Sequence, residues 1–552
     1  MLSEDFSTGT VSLVVAIAGD CDVCDDGLEA EIRRILEKLH GDYENTAILL
    51  LSNLAEGASR IAVQAAMKSP KFPWFAILPV PFDDYRADFT SEESDRIFQT
   101  QYAAADGRIE LPPMDGKSRA EHDTRLDDYL IQYSQILIAV QDVGSSKPAD
   151  RVAQVIDRKL RSSPRAMRLE LPRINAEGAG PVYRIYTKPS DKRGRIPTIP
   201  VDKKPEVPDG TTFDNYRASY ELLNRFNADI ARARWNFKNA VVKSRKDLFV
   251  ETEPDGLSEA ENWVIDVYSR ADALAGRYAW RGLLIWKAVF ALLALAGVCL
   301  ALLHATDGSG AFLCGYYACL LPAFGLMIYE WKSKDRVRHE DYRALAEALR
   351  VQVYWMAGGL PDLVADRYLR KQAGETMWIR DAISECALYP GVLSLSPPEP
   401  EGRAARLRLT LKWVESQKDF FANRVGKHAG KKQALHAFAS ATATVGFLLP
   451  LAGFFLKQPA PFLAGAALAM WWAALAWDYA ERRGFTQEAQ QYARMGKLFQ
   501  DADEDLTELA REGNYQRCDK TLRELGSEAL AESADWLAMH RERKLSASLG
   551  AK

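Results

Sequence analysis

Hydrophobic positions in this chain follow two regimes. Up to about residue 187 they form short β-branched runs separated by stretches of helical periodicity; beyond residue 280 they form four unbroken apolar runs set among long charged helices. The central pair spans Leu283–Trp331: LLIWKAVFALLALAGVCLALL, a polar turn HATDGSG, then AFLCGYYACLLPAFGLMIYEW. Each run is about 20 residues, enough for a helix to cross a hydrocarbon core of about 30 Å. Lys287 interrupts the first run near its end, where its ammonium can reach the interface. A second pair follows, HAFASATATVGFLLPLAGFFL and PFLAGAALAMWWAALAW, so four spans are predicted over 283–304, 311–331, 436–456 and 461–477. Helical patterns flank both pairs, at Tyr216–Asn236, Ser258–Arg281, Asp341–Met356, Leu407–Lys432 and Glu481–His540. The layout of helix, hairpin, helix is given twice. Ser269-x-x-Asp272…Arg277 aligns with Ser416-x-x-Asp419…Arg424, and Tyr342 with Tyr492.

The first part reads differently. Val11–Ala18, Ala47–Leu51 and Trp74–Val80 are continuous apolar runs of the kind buried on both faces of a parallel sheet. Tyr129–Ile131 and Ile136–Val140 bracket a further strand, and Pro181–Tyr186 supplies another. Helical spacing falls between them at Gly27–His40, from Arg60 to about Lys68, and at Val152–Leu160. This alternation predicts an α/β, Rossmann-like domain with a doubly wound parallel sheet and right-handed crossovers. Such sheets bind ligands beyond the carboxyl ends of their strands. The residues there are Gly19 and Asp20; Ser52, Glu56, Gly57, Ala58 and Arg60; Pro79; and Asp142 with Gly144. Small residues let backbone N–H groups approach a phosphate, and helix amino termini favour one. Glu56 suits a ribose hydroxyl and Arg60 a phosphate. Helix-dipole compensation, a solvated helix face and ordinary turn chemistry explain such residues equally well. Neither GxGxxG nor GxxxxGK[ST] is present.

Domains are expected at 1–188 (α/β), 213–388 and 405–552 (the two helical repeats), with linkers 189–212 and 389–404 rich in proline and charge. Charge settles orientation. Arg277, Arg281, Lys332, Lys334, Arg336 and Arg338 surround the open end of the first hairpin, and Lys427, Lys431, Lys432, Arg482 and Arg483 that of the second. The positive-inside rule then expects a multi-pass inner-membrane protein with both terminal regions cytoplasmic. A net charge of -4 argues against a nucleic-acid partner. Met1–Thr10 has neither a basic segment nor an apolar one, so no secretory signal is expected. Cys21 and Cys24 form a CxxC without a second pair at metal-site spacing, and no metal is expected. Ser440 and Thr444 lie one turn apart in the third run and are candidates to line a pore; a bond back to their own helix is the alternative.

Three ordered segments resemble one family. LLLSNLAEGASRIAVQAAM resembles the LAEGAD-R signature of the SLOG superfamily, FAILPVPFDDYRADF its LP-P---Y--DF segment, and ILIAVQDVG its LIA-WDG strand end. Ser59 stands at the aspartate of the first motif and Gln141 at the tryptophan of the third, and SSKPADRVAQV follows without the family's glycine-rich GGT turn. The resemblance implies a Rossmann-like domain that senses or processes nucleotides and nucleotide sugars. A long helix, a tight two-span hairpin and a second long helix resemble the SLATT group of two-span effectors. Together these imply a nucleotide-responsive membrane effector, an oligomeric channel or membrane-perturbing protein of bacterial anti-phage conflict signalling. Its partners would be the lipid bilayer, a nucleotide-derived small molecule and further copies of itself. The alternatives are a membrane-anchored nucleotide hydrolase or phosphoribohydrolase, which the missing GGT turn disfavours, and a non-enzymatic membrane scaffold.

Overall fold

The apolar runs of the first part do build a parallel sheet. The computed structural model describes residues 9–19, 26–142, 151–161, 179–187, 205–233, 237–249, 254, 257–305, 309–368, 376–389, 400–457, 459–483 and 485–549. The chain runs β1 (Leu13–Gly19), α1 (Asp26–Asp42), β2 (Ile48–Ser52), α2 (Ala58–Met67), β3 (Trp74–Leu78), α3 (Phe82–Arg86), α4 (Glu92–Ala104), β4 (Gly107–Glu110), α5 (Arg119–Tyr133), β5 (Ile136–Asp142), α6 (Arg151–Arg161) and β6 (Val182–Thr187). The six strands order as β4-β3-β2-β1-β5-β6, and every neighbouring pair is parallel. Successive strands step one way from β1 to β4, then cross back to β5. Right-handed crossovers in opposite directions put α1 and α2 on one face of the sheet and α5 and α6 on the other. Residues 13–17 of β1 and all of β2 and β3 are buried, which is why they lack polar alternation.

Several elements depart from the expectation, among them α3 and α4, which form where no helix is expected. Tyr129–Ile131 belong to α5, not to the approach of a strand, and Arg119–Tyr133 winds from a Ser118/Glu121 capping box. β4, with the sequence GRIE, is an unexpected edge strand that alternates between half-buried and exposed. Glu206 of the expected linker forms an antiparallel bridge with Val182.

Ten helices follow among the described residues: α7 (Phe213–Arg232), α8 (Phe237–Leu248), α9 (Glu259–Ala305), α10 (Gly310–Ser333), α11 (Asp335–Ala357), α12 (Met377–Ser384), α13 (Pro400–Phe455), α14 (Pro459–Arg483), α15 (Phe485–Arg511) and α16 (Tyr515–Leu549). α9 has 47 residues and α13 has 56, so each joins a predicted polar helix and apolar run in one rod. α13 starts inside the stretch expected to be a linker, and Gly513, at φ 70, divides the expected last helix into α15 and α16. α9, α10, α13 and α14 are long and apolar enough to cross a membrane. Trp331, Phe447 and Phe454 on them are 81, 79 and 75% exposed, an apolar surface of the kind that meets a membrane or another protein.

The two stretches of the helical region pack in the same layout. α10 and α11 pack on α9 as α14 and α15 pack on α13. Tyr342 of α11 meets Tyr278 of α9 at 5.9 Å between rings, and Tyr492 of α15 meets Phe421 of α13 at 6.0 Å. Stacked Tyr354 and Trp413, 4.2 Å apart, join the two repeats in the polar region. In the apolar region α14 packs on α9. The Trp471 indole donates to the Leu293 carbonyl at 3.0 Å, and a Cβ on Gly297 would lie 2.5 Å from the Trp471 ring. Gly297→Val should therefore force the four apolar helices apart. Overpacking of this kind costs about 1–3 kcal/mol, and thermal unfolding of the detergent-solubilised chain should show a matching loss, with Gly325→Val, where a Cβ meets nothing within 4 Å, as the neutral control.

Candidate functional site

Strand order reverses at β1, which pairs with β2 on one side and β5 on the other, so a crevice opens beyond the carboxyl ends of β1 and β5. Gly19 ends β1 there. A Cβ on it would lie 2.4 Å from Ala58 Cβ and 3.0 Å from Val140 Cβ, so only glycine lets α2 and β5 close on the strand end. Asp142 ends β5 in register with Thr187; its side chain lies outside the described residues, as do Asp20, Gly144 and the Cys21/Cys24 pair.

The loop from β2 to α2 is held by its own hydrogen bonds. Ser52 is fully buried; its hydroxyl donates to the Ser59 carbonyl at 3.1 Å and accepts from the Leu54 N–H at 3.2 Å. Asn53 Oδ1 accepts from the Ala55 N–H at 3.2 Å, an Asx turn. Leu54 sits at φ 56, a left-handed conformation that costs a non-glycine residue about 1–2 kcal/mol. Its complete burial offsets that cost. Gly57, at φ 76, caps α2 without a side-chain acceptor for the helix's first N–H groups. Those groups, starting with Ala58, are the donors this loop can offer an anion. Pro79 follows β3 as a buried residue.

Glu56 and Arg60 turn to a different task. Arg60 is buried: Nε donates to the Leu54 carbonyl at 3.1 Å, Nη1 to Ser94 Oγ at 2.8 Å, and the guanidinium lies 4.5 Å over the Phe89 ring. The Ser94 hydroxyl in turn donates to the Glu56 carboxylate. The trio fastens α4 onto the loop. Ser94 lies 34 and 38 residues from its partners and carries no sequence signal that would reveal it. FAILPVPFDDYRADF also serves packing here. Phe82, Tyr85 and Phe89 cluster with Phe98 and Tyr102 at ring separations of 4.7–5.9 Å.

The opposite edge of the sheet, where strands start, carries the helical region. Ser12 N–H donates to Glu385 at 2.7 Å, the Tyr129 hydroxyl donates to the Ala387 carbonyl at 3.1 Å, and Phe75 meets Tyr389 edge-on. A cavity of about 80 Å³ lies in this seam, lined in part by Gln132, Ser134, Tyr216, Arg380 and Asp381. Fully buried Lys159 donates to Ile131 O at 2.9 Å, Ser134 O at 2.6 Å and Ser134 Oγ at 3.4 Å. Because the Ser134 hydroxyl gives its own proton to Leu130 O, all three acceptors draw on Nζ, which suits an ammonium. Burial nevertheless pushes Lys159 down to about 7, against the attraction of Asp381. Burial pushes Asp381 up to about 7, against Arg380 and Lys159, and Glu385 up to about 7, against its bonds from Ser12.

Ser440 and Thr444 share one exposed face of α13, and the Thr444 hydroxyl donates to the Ser440 carbonyl at 2.9 Å. That hydroxyl is spent on its own helix. No group of ligands that could hold a metal ion occurs among the described residues. The chain matches no protein-family model, and no curated protein matches it.

The seam fixes a pH dependence. An acid whose folded pKa lies above its unfolded value keeps a proton that the unfolded chain releases. Asp381 thus lowers stability progressively from its ordinary carboxylate value up to about pH 7, and the loss is complete above that. Asp381→Asn should flatten this slope and raise stability at pH 8 by up to about 4 kcal/mol. Chemical denaturation at pH 5 and pH 8 should show a gain at both, larger by about 2–3 kcal/mol at pH 8.

Proposed function

We propose that this chain is a nucleotide-responsive membrane effector: a SLOG-type sensor domain joined to two SLATT-type hairpins, with the sheet domain and the charged helices in the cytoplasm. A nucleotide-derived ligand sits beyond β1 and β5, with its phosphate on the amino terminus of α2. Binding shifts the arrangement of the charged helices, and the apolar hairpins of several copies answer by opening a path or disturbing the bilayer. A ligand drives this only by preferring one arrangement over the other. Such an effector belongs in bacterial conflict signalling.

The observation that carries this reading is continuity. α9 and α13 each run unbroken from a packed, charged segment into a bare apolar length, and the packed segment of α9 meets Tyr389, which docks on the sheet. Any reorientation of the packed segment is imposed on the apolar one. The basic flanks favour a cytoplasmic position for the packed segments. The backbone donors from Ala58 onward, the close approach of α2 that Gly19 allows and the commitment of Arg60 to Ser94 favour phosphate recognition by main chain over side chain.

The test is flux. Full-length protein reconstituted in liposomes with a trapped dye should release it when NAD, ADP-ribose, AMP or a cyclic dinucleotide is added. The same nucleotide should raise the unfolding temperature, since a ligand of the folded state stabilises it. Intact, correctly inserted oligomers that show neither release nor a thermal shift with any of these would sink the proposal; a thermal shift with nucleotide turnover and no release would favour the membrane-anchored hydrolase.

A further inference from the structure

α7 touches the start of β1, the start of β5 and the joint of α9, α10 and α11. Asn227 closes on the start of β1: its Oδ1 accepts from the Val11 N–H at 3.0 Å, and its Nδ2 donates to the Val11 carbonyl at 2.7 Å and to Thr46 Oγ1 at 3.1 Å. Tyr220, two turns earlier, donates its hydroxyl to the Gln135 carbonyl at the start of β5, at 3.3 Å. Gln135 itself is tied to β1, since its Oε1 accepts from the Val14 N–H at 2.6 Å. β1 and β5 are the two strands whose far ends flank the crevice.

Two residues past Asn227, Asp229 faces the other way. Its Oδ2 accepts from the Tyr342 hydroxyl at 2.6 Å, and its Oδ1 lies 3.5 Å from Arg338 Nη1. Arg338 also donates to the Tyr278 hydroxyl at 2.9 Å, and Phe226 meets the Tyr342 ring at 5.3 Å. Arg338 and Tyr342 lie in the first two turns of α11, directly after Lys334, whose left-handed φ of 55 turns the chain from α10 into α11. Tyr278 lies on α9 just before its apolar length, three residues from Arg281, which pairs with buried Asp335 at 3.2 Å. Asn227 and Asp229 are 6% exposed or less, so neither exchanges these partners for water cheaply.

We infer that α7 is the coupling element between the crevice and the first apolar hairpin. A change in the spacing of β1 and β5 at the crevice moves their starts, which Asn227 and Tyr220 hold. α7 moves as a rigid body, and Asp229 carries the displacement to the joint of α9, α10 and α11. The purpose of the link rests on the proposed function; its existence rests on these bonds alone. Coupling of this kind is reciprocal.

Hydrogen exchange on the full-length chain in nanodiscs, without ligand, tests it. Tyr220→Phe removes one hydroxyl and keeps the ring, and Asn227→Ala removes the clasp. Each should speed amide exchange over residues 335–342 about 10-fold or more, and Tyr342→Phe should do the same over residues 11–15. Arg33→Ala, which strips bonds to Ala65, Lys68, Ser69 and Pro70 inside the sheet domain, should loosen α1 and α2 and leave residues 335–342 unchanged. Loosening of the strand starts by Asn227→Ala and Tyr220→Phe with wild-type exchange at 335–342 would overturn the link. Equal loosening of 335–342 by Arg33→Ala would overturn it too, since the effect would then be general unfolding. If Asn227→Ala fails to fold, Tyr220→Phe and Tyr342→Phe decide the matter. Dye release from the same preparations is scored separately, so a silent membrane region with intact coupling rejects the effector reading and keeps the link.

Discussion

Val11 has a backbone N–H and C=O to satisfy before β1 has begun to pair, at a place closed to water. A single side-chain amide does both, and it comes from 216 residues away in the chain. The amide of Asn227 is the one common group with a donor and an acceptor side by side, matched to a peptide edge. Leaving either backbone group unmet would cost about 1–3 kcal/mol, so the central strand and α7 are held to one geometry. The rest follows from that fit. The strand starts become a docking edge, the strand ends are left free to form a crevice, and the helices that carry the apolar lengths are fixed relative to both.

The seam around this clasp is unusually polar for an interior surface. Lys159, Asp381 and Glu385 are drawn into it at a cost that burial sets; neighbouring charges return part of it to Lys159 and Asp381, and hydrogen bonds from Ser12 part of it to Glu385. A purely apolar seam would hold the two regions together more firmly. This one holds them in a specific register through directional bonds, and its strength varies with proton concentration near neutrality.

Much of this architecture can be read along the chain, for definite reasons. β1, β2, β3 and β5 are buried on both faces and appear as unbroken apolar runs; the four apolar helices are long and apolar enough to cross a membrane and stand out for that reason. β4 escapes notice because GRIE is a four-residue edge with alternating exposure, and Tyr129–Ile131 mislead because three apolar residues on a helix look like a strand when the polar turn around them is ignored. The candidate site is legible only in its backbone. Gly19 and Gly57 announce close approach and a tight turn, and both do what glycine allows. Arg60 and Glu56 do not declare their partner, since Ser94 meets them through tertiary packing alone. The clasp by α7 is hidden for the same reason: no local pattern marks Asn227 and Asp229 apart from any other polar pair on a helix.

The unbroken length of α9 has a mechanical consequence. At 1.5 Å per residue its 47 residues make a rod of about 70 Å. Held near its packed end, such a rod acts as a lever. A tilt of about 5° at Tyr278 carries the tip at Ala305, about 40 Å away, through about 3.5 Å, more than half a helical turn's rise. Movements at the strand starts too small to break a hydrogen bond are thereby enlarged, with no hinge to dissipate them, to the scale on which neighbouring helices part.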